Sequence, residues 1–355
     1  MTQKSNTNNR VRELRISAGL TQAELAERAG ISRTAVTAIE GKELAPSVVA
    51  ALSLAKVLGT TVEILFTSES VSQHLTEWAW DTGDSKRLYW QAEVDGRNWL
   101  YPAESTPLLT PLPDGRFTGS ESVASAFPAS ARQTLVLAGC DPAAGMLATE
   151  YGRATDYRLL ALPRSSQEAL TLIQEGKVHL AGLHYSTPEA PNQNVETVQD
   201  MLGSGFSLIR MASWEEGIVT SSNSRRRSVR GIVTSRLRWV GRETGSGARR
   251  CLDQLLEGRP APRHVARNHR GVAEAVKSGW ADAGICVQLT GVEAGLRFFR
   301  VQTEYFDLCC KTTFLDDPRL RELIRVLQSS SYRELVSSLP GYSVTGTGEV
   351  VTIQE

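Results

Sequence analysis

Hydrophobic residues recur every three or four positions through the first 66 residues of the chain, in stripes separated by brief polar turns. Val11, Leu14 and Ile16 form the first stripe, Leu25, Ala26 and Ala29 the second, Ala35, Val36 and Ile39 the third, and Val49, Leu52, Leu54, Ala55 and Leu58 the fourth. That spacing is the mark of amphipathic helices, and with Thr61 to Phe66 as a closing turn it predicts five short helices. The punctuation agrees. Thr21 and Glu24 have the spacing of a capping box, Ser32 can cap the third helix, and Pro46-Ser47 opens the fourth.

Beyond residue 66 the helical period fades, and residues 67–132 become rich in Pro, Ser, Gly and aromatics, which predicts a linker carrying a small β element. Two β-prone runs flank Asp95-Gly96, a hairpin signal, and Asp114-Gly115 repeats the turn chemistry. Trp78, Trp80, Trp90 and Trp99 fall close together with few cations between them, which predicts a packed interface ahead of base stacking. From 133 onward strand, loop and helix alternate ("TLVLAGC", "PAAGMLATEYG", "YRLLALP", "SSQEALTLIQEG", "VHLAGLHY"), the pattern of a parallel α/β sheet whose ligands sit beyond the strand C-termini. Asp141 is expected as a helix cap and Pro142 as the first helical residue, leaving backbone N–H groups that favour an anion. A second α/β region, about 225–293, has a glycine-rich turn where Gly245 and Gly247 let backbone approach a ligand and Ser246 and Arg249 stand near a helix N-terminus. The segment "LRFFRVQTEYFDLCCK" then returns the chain to the first lobe, and a helix is expected from Pro318 to Ser329.

At 355 residues the chain is long enough for two or three units with separate cores. Its 39 basic and 39 acidic residues balance, so any nucleic-acid surface must be local. Five cysteines without a C-x-x-C pair argue against a disulfide framework or a zinc site and suit a reducing cytoplasm. The first residues lack an apolar signal core, and no run approaches the roughly 18 apolar residues of a membrane span, so no membrane partner is expected. Between Arg225 and Arg250 nine arginines face one acid, Glu243, which reads first as a solvated face.

The motifs "LTQAELAERAGIS" and "AVTAIEGK", followed by Pro46-Ser47, resemble the Xre/Cro type of helix-turn-helix domain. The resemblance implies that Thr21 to Ala29 crosses the DNA backbone and that Ser32 to Glu40 enters the major groove. The DNA-binding candidates are then Arg15, Gln22, Ser32, Arg33, Thr34, Thr37 and Lys42, with Arg33 suited to guanine and Gln22, Arg15 and Lys42 to phosphate. Residues 1–66 carry only eight basic against six acidic groups, so one copy should bind weakly, and a homodimer or homotetramer on double-stranded DNA is expected. The ordered set "LVLAGCDPAAGMLA", "EALTLIQEGKVHLAGLH", "RWVGRETGSGARRCLDQLL", "VAEAVKSGWADAGI", "EYFDL" and "LPGYSVTGTGEVV" resembles the substrate-binding-like domain of some bacterial regulators, similar to periplasmic molybdate-binding proteins. It implies a type II periplasmic-binding-protein fold over 133–355, two α/β lobes with one cleft, so that the whole is multidomain: an all-α head, a small β-containing linker and a two-lobed α/β domain.

By the same resemblance the cleft is lined by Gly139, Cys140, Asp141, Pro142, Ser165, His184, Ser246, Gly247, Arg249, Asp282 and Tyr305. Asp141 and Asp282 would repel an oxyanion unless they cap helices or bind Arg249, so a small organic effector is as plausible as a molybdate-like one. The expected function is a cytoplasmic, ligand-responsive bacterial transcriptional regulator with no cofactor, no metal and no catalytic role. The rival is an enzyme in which Cys140, His184 and Asp282 serve as nucleophile, base and orienting acid; an oligomeric DNA-binding module without an effector is a third possibility.

Overall fold

The helix boundaries at the N-terminus follow from side-chain caps. In this computed structural model, which describes residues 9–66, 77–81, 87–103, 111–118, 122–125 and 129–353, two compact units divide between residues 76 and 77. The first holds α1 (Val11–Ser17), α2 (Gln22–Ala29), α3 (Arg33–Glu40), α4 (Val48–Val57) and α5 (Val62–Phe66). Thr21 and Glu24 form the full capping box on α2, while Ser32 and Ser47 accept the N–H of Ala35 and Ala50 to cap α3 and α4. Val11, Leu25, Val36, Ile39, Leu54 and Leu65 make the core. Val49 and Leu52, expected on the apolar stripe of α4, are instead exposed. The inward face is Ala51, Leu54 and Ala55, because at 100° per residue positions 49 and 52 lie on the far side of that set.

The second unit begins with a five-stranded sheet of β1 (Glu77–Trp78), β2 (Arg87–Val94), β3 (Arg97–Pro102), β4 (Gly115–Phe117) and β5 (Ser122–Ala124), in the order β1-β3-β2-β4-β5. Asp95 and Gly96 close the β2–β3 hairpin with φ of 50° and 74°, the positive pair that such a two-residue turn demands. Residues 67–76 of the expected linker lie outside the described residues, but this sheet does not stand apart. Trp90, Ala92, Val94, Trp99 and Tyr101 share one core with Val136, Leu160, Ala169 and Ala181 of the α/β region. Trp99 Nε1 donates to the Gly176 carbonyl at 3.0 Å and the Tyr101 hydroxyl to that of Lys177 at 2.6 Å.

Asp114 departs from expectation. It is buried, and Gly115 starts a strand. Its carboxylate accepts the N–H of Gln91 and Ala129 and a bidentate pair from Arg158 at 2.7 and 2.8 Å. A dipeptide that reads locally as a turn is here the anchor of the small sheet on the larger one.

The α/β region runs β6 (Thr134–Gly139), α6 (Ala144–Ala154), β7 (Arg158–Pro163), α7 (Ser166–Gln174), β8 (Leu180–Ser186), α8 (Gln193–Leu202), β9 (Phe206–Thr220), α9 (Val229–Val233), β10 (Trp239–Arg242), α10 (Gly247–Leu255), β11 (His264–Ala266), α11 (His269–Lys277), β12 (Ala283–Val287), α12 (Gln288–Glu293) and β13 (Arg297–Lys311). It ends with α13 (Pro318–Gln328), α14 (Ser330–Ser337), β14 (Tyr342–Ser343) and β15 (Val350–Thr352), the last two pairing with β9. The strand order β11-β10-β12-β9-β13-β8-β6-β7 places two parallel sets on either side of two antiparallel strands. Those two, β9 and β13, each 15 residues long, cross between the lobes. β13 pairs with β8 through Tyr305–Cys309, while β9 pairs with β12 through Glu216–Thr220, and register shifts at Arg300/Gln302 and Phe306/Asp307 mark the crossing.

Removing one partner of a buried ion pair leaves an uncompensated charge. Arg158→Ala is therefore expected to lower unfolding stability by about 3–5 kcal/mol in urea denaturation; a loss below about 1 kcal/mol would mean that Asp114 is satisfied by its two N–H donors alone.

Candidate functional site

The exposed face of α3 presents Arg33, Thr34 and Thr37, with the capping residue Ser32 at its start, all open to solvent. Lys42, also exposed, follows α3 in a left-handed turn with φ of 61°. Arg15 is placed differently from expectation. Its guanidinium is engaged inside the fold, with Glu40 at 2.6 and 3.1 Å and the Leu20 carbonyl at 2.8 Å. Gln22 Nε2 donates to the same Glu40 at 2.8 Å and its Oε1 accepts from Thr37. Glu40 thus fixes α1, α2 and α3 relative to one another and sets the angle at which α3 projects.

In the α/β unit the strand ends of both lobes meet around a buried polar chain. Cys140, just past β6, lies 3.1 Å from Nε2 of His184 on β8. Nδ1 of His184 contacts Glu304 Oε2 on β13 at 2.6 Å, and Glu304 also accepts from Trp214 Nε1 at 3.0 Å and from Gln302 Nε2 at 2.7 Å. His184, Trp214, Glu216 and Glu304 are all buried on or beside the crossing strands. The second lobe closes directly onto them. A Cβ at Gly247 would come 2.5 Å from the His184 ring, so only glycine admits this approach of α10.

Electrostatics divide the acids. Burial disfavours charge on His184, but the neighbouring Cys140 and Glu304 outweigh it and hold the imidazole well above its ordinary range. Burial also opposes a charged Glu304, yet His184 and the hydrogen bonds to it keep that carboxyl low. Burial and the adjacent Glu304 push Glu216 far up, so Glu216 carries the proton of the pair. Burial, with Arg242 and His184, keeps His269 neutral.

A cavity of about 480 Å³ opens between the lobes beside this chain. Gly139, Cys140, Asp141 and Pro142 line it from the first lobe, His269 and Arg270 from the second, and its body is apolar, with Leu137, Leu160 and Phe306 among the walls. Three polar atoms of these lining residues are buried without a hydrogen-bond partner: Asp141 Oδ2, His269 Nε2 and Arg270 Nε. Arg242, fully buried at the end of β10, also has no hydrogen bond on any guanidinium nitrogen; its nearest acid is Glu243 at 3.6 Å.

Other expected cleft residues are dispersed. Asp141 is no N-cap and Pro142 is not the first helical residue: α6 starts at Ala144 with Ala143 as its N-cap, while Asp141 Oδ1 accepts from Ala143 N and from the Tyr342 hydroxyl at 2.6 Å. Ser165 caps α7 and Ser246 caps α10. Ser246 and Arg249 border a separate outer groove with Tyr185, and Arg249 pairs with Asp253 at 2.8 Å. Tyr305 lies in another groove, its ring under the Arg210 guanidinium. Asp282 is the clear departure: it precedes β12, at the strand end away from the cleft, and pairs with Arg238 at 2.7 Å. The orienting acid for His184 is Glu304, and the residues not foreseen are Glu304, Glu216, Trp214, Arg242, His269 and Arg270. Glu215-Glu216 inside a long, mostly buried strand is the visible signal.

Cys140, His184 and His269 offer donor atoms within 4.8 Å of one another, as do His184, Glu216 and Glu304. Val287 N–H donates to His269 Nδ1 at 3.3 Å, so Nε2 holds the proton, and both ring nitrogens of His184 are engaged by Cys140 and Glu304, so a cation in either set would have to displace these contacts.

A family model described as a PBP superfamily domain matches residues 148–328. The chain belongs to the PBP superfamily. A helix-turn-helix model matches residues 11–65, so a helix-turn-helix head precedes the PBP-like domain, and this pairing points to a DNA-binding regulator carrying a small-ligand-binding type of domain rather than to an enzyme. The chain is 26% identical over 231 residues to the uncharacterized protein YvgK of Bacillus subtilis (strain 168), covering 62% of this chain and 74% of that one. Among solved structures it is similar to an ABC-type phosphate transport receptor from Vibrio cholerae (TM-score 0.41, 13% identity, 59% of this chain and 99% of that). It is also similar to Peb3 from Campylobacter jejuni (TM-score 0.43, 14% identity, 59% and 99%). No helix among the described residues is long and apolar enough to cross a membrane.

A His whose folded value is raised contributes stability that is complete below its ordinary value of 6.5 and is lost as pH rises through the folded value. The ¹⁵N shifts of His184 are expected to report an imidazolium at pH 7.5, and Glu304→Gln to move its titration midpoint down. A neutral His184 at pH 7.5 would refute the charge assignment.

Proposed function

We propose that this protein is a ligand-responsive transcriptional regulator: the helix-turn-helix head binds operator DNA as a dimer or higher oligomer, and a small molecule held in the interlobe cavity changes operator occupancy. The observation that carries the reading is the set of orphan atoms, Asp141 Oδ2, His269 Nε2 and Arg270 Nε, on three residues that line one cavity in a chain whose other unit is a helix-turn-helix. Leaving such groups buried and unpaired costs about 1–3 kcal/mol each, which a bound ligand returns. The reading puts the protein in the cytoplasm, where the DNA is.

The cavity favours an organic effector over a bare oxyanion. At about 480 Å³ with apolar walls it matches sites for small organic molecules, which bury a carbon skeleton and fix it through a few polar groups. Two of the orphans, on His269 and Arg270, are donors, so the effector presents acceptors to the second lobe.

Native mass spectrometry of the full chain, purified gently, is expected to show a small molecule retained by the wild type and lost in His269→Ala; identical occupancy in both would move the site elsewhere. On the DNA side, Arg33→Ala is expected to weaken binding to a selected operator by about 1–3 kcal/mol and to relax its sequence preference. Unchanged discrimination between operator and scrambled duplex would remove Arg33 from the readout.

A further inference from the structure

The effector reading makes no use of Cys140, yet the cleft surrounds that sulfur with a full set of groups for nucleophilic chemistry. Among the five cysteines, all buried, Cys140 alone lines the cavity and lies beside an imidazole. His184 Nε2 is 3.1 Å from the sulfur, and Glu304 Oε2 grips the opposite ring nitrogen at 2.6 Å, itself held by Trp214 and Gln302. A nucleophile, a base and an orienting carboxylate in that order make an activated thiol. A ring nitrogen of His269 lies within 4.8 Å of both the sulfur and the His184 ring, and its Nε2–H has no acceptor. That ring is close enough to donate to an oxygen carried elsewhere on the molecule the sulfur attacks.

We propose that Cys140 is a nucleophile held and activated by His184, and that the cleft captures a small α,β-unsaturated carbonyl compound covalently at this sulfur. The thiolate forms a C–S bond to the β-carbon as the C=C π bond breaks, and the electron pair moves to the carbonyl oxygen. His269 Nε2–H hydrogen-bonds that oxygen in the enolate. The His184 proton then passes to the α-carbon, leaving a thioether and a neutral imidazole. No oxidant, reductant or further reactant is required. The apolar walls receive the carbon skeleton of the electrophile.

The other four thiols serve as controls within the same molecule. Burial pushes Cys286 and Cys310 up to about 12, and Cys251 and Cys309 higher still, which keeps all four as unreactive thiols. The charged and titratable groups facing the Cys140–His184 pair are Tyr185 stacked beside the imidazole, Glu304 and Glu216 on the crossing strands, His269 and Arg242 from the second lobe, and Asp141 and Tyr342.

The test is timed alkylation of the native full chain with N-ethylmaleimide, itself an α,β-unsaturated carbonyl compound, read by peptide mass spectrometry from pH 5.5 to 8. Cys140 is expected to react at least about tenfold faster than any other cysteine across the range. Glu304→Gln should cut that preference at least about fivefold while the other four sulfurs stay unreactive, a signature that loss of folding would not give, since unfolding would expose all five sulfurs together. Equal rates at all five cysteines in the wild type, or a Cys140 preference unchanged in Glu304→Gln, would overturn the proposal. Both outcomes are independent of whether an effector governs DNA binding.

Discussion

The hydrogen bond between His184 and Glu304, 2.6 Å long and wholly buried, is the constraint on which the two-lobed unit depends. Two charged groups removed from water are stable only if each is also satisfied by further partners. Glu304 meets that condition through Trp214 and Gln302, and His184 through Cys140. The partners come from β8, β9, β13 and the end of β6, so satisfying this one pair brings the strand ends of the first lobe and both crossing strands to a single point. The second lobe reaches the same point through Gly247. The polar chain thus ties the two crossing strands to the first lobe, and its Cys140 end lines the cavity.

The sites around that chain are incomplete in a patterned way. Satisfied groups hold the fold: Asp114 with Arg158, Glu40 with Arg15, Asp317 with Arg319. Among the unsatisfied ones, Asp141, His269 and Arg270 all line the one cavity. Orphaned buried groups are rare in folded proteins, and three on the walls of a single cavity support its reading as a recognition surface.

Much of this could be read from residues close in sequence. The caps at Thr21, Ser32 and Ser47, the Asp95-Gly96 hairpin, and the strand-to-helix loops carrying Cys140 and Ser246 all depend on neighbours within a few positions. What failed to show was long-range. Asp114 has the local chemistry of a turn, but its partner Arg158 lies 44 residues on. His184 calls for an orienting acid, and Asp282 is the one the sequence suggests; the register of β13 against β8 instead brings Glu304, 120 residues on, to the imidazole. His269 and Arg270 look like ordinary helix-start residues; only the meeting of the lobes makes them cavity groups.

The central claim is that what fills the cavity governs what the helix-turn-helix head does. It is tested most directly by measuring, at fixed salt, the operator affinity of the full chain after exhaustive dialysis, and again after adding back the low-molecular-mass fraction released from the same preparation by denaturation. The account predicts a shift of about fivefold or more in either direction, the scale of a coupling free energy near 1 kcal/mol. Identical isotherms, with the released molecule shown to rebind, would contradict it.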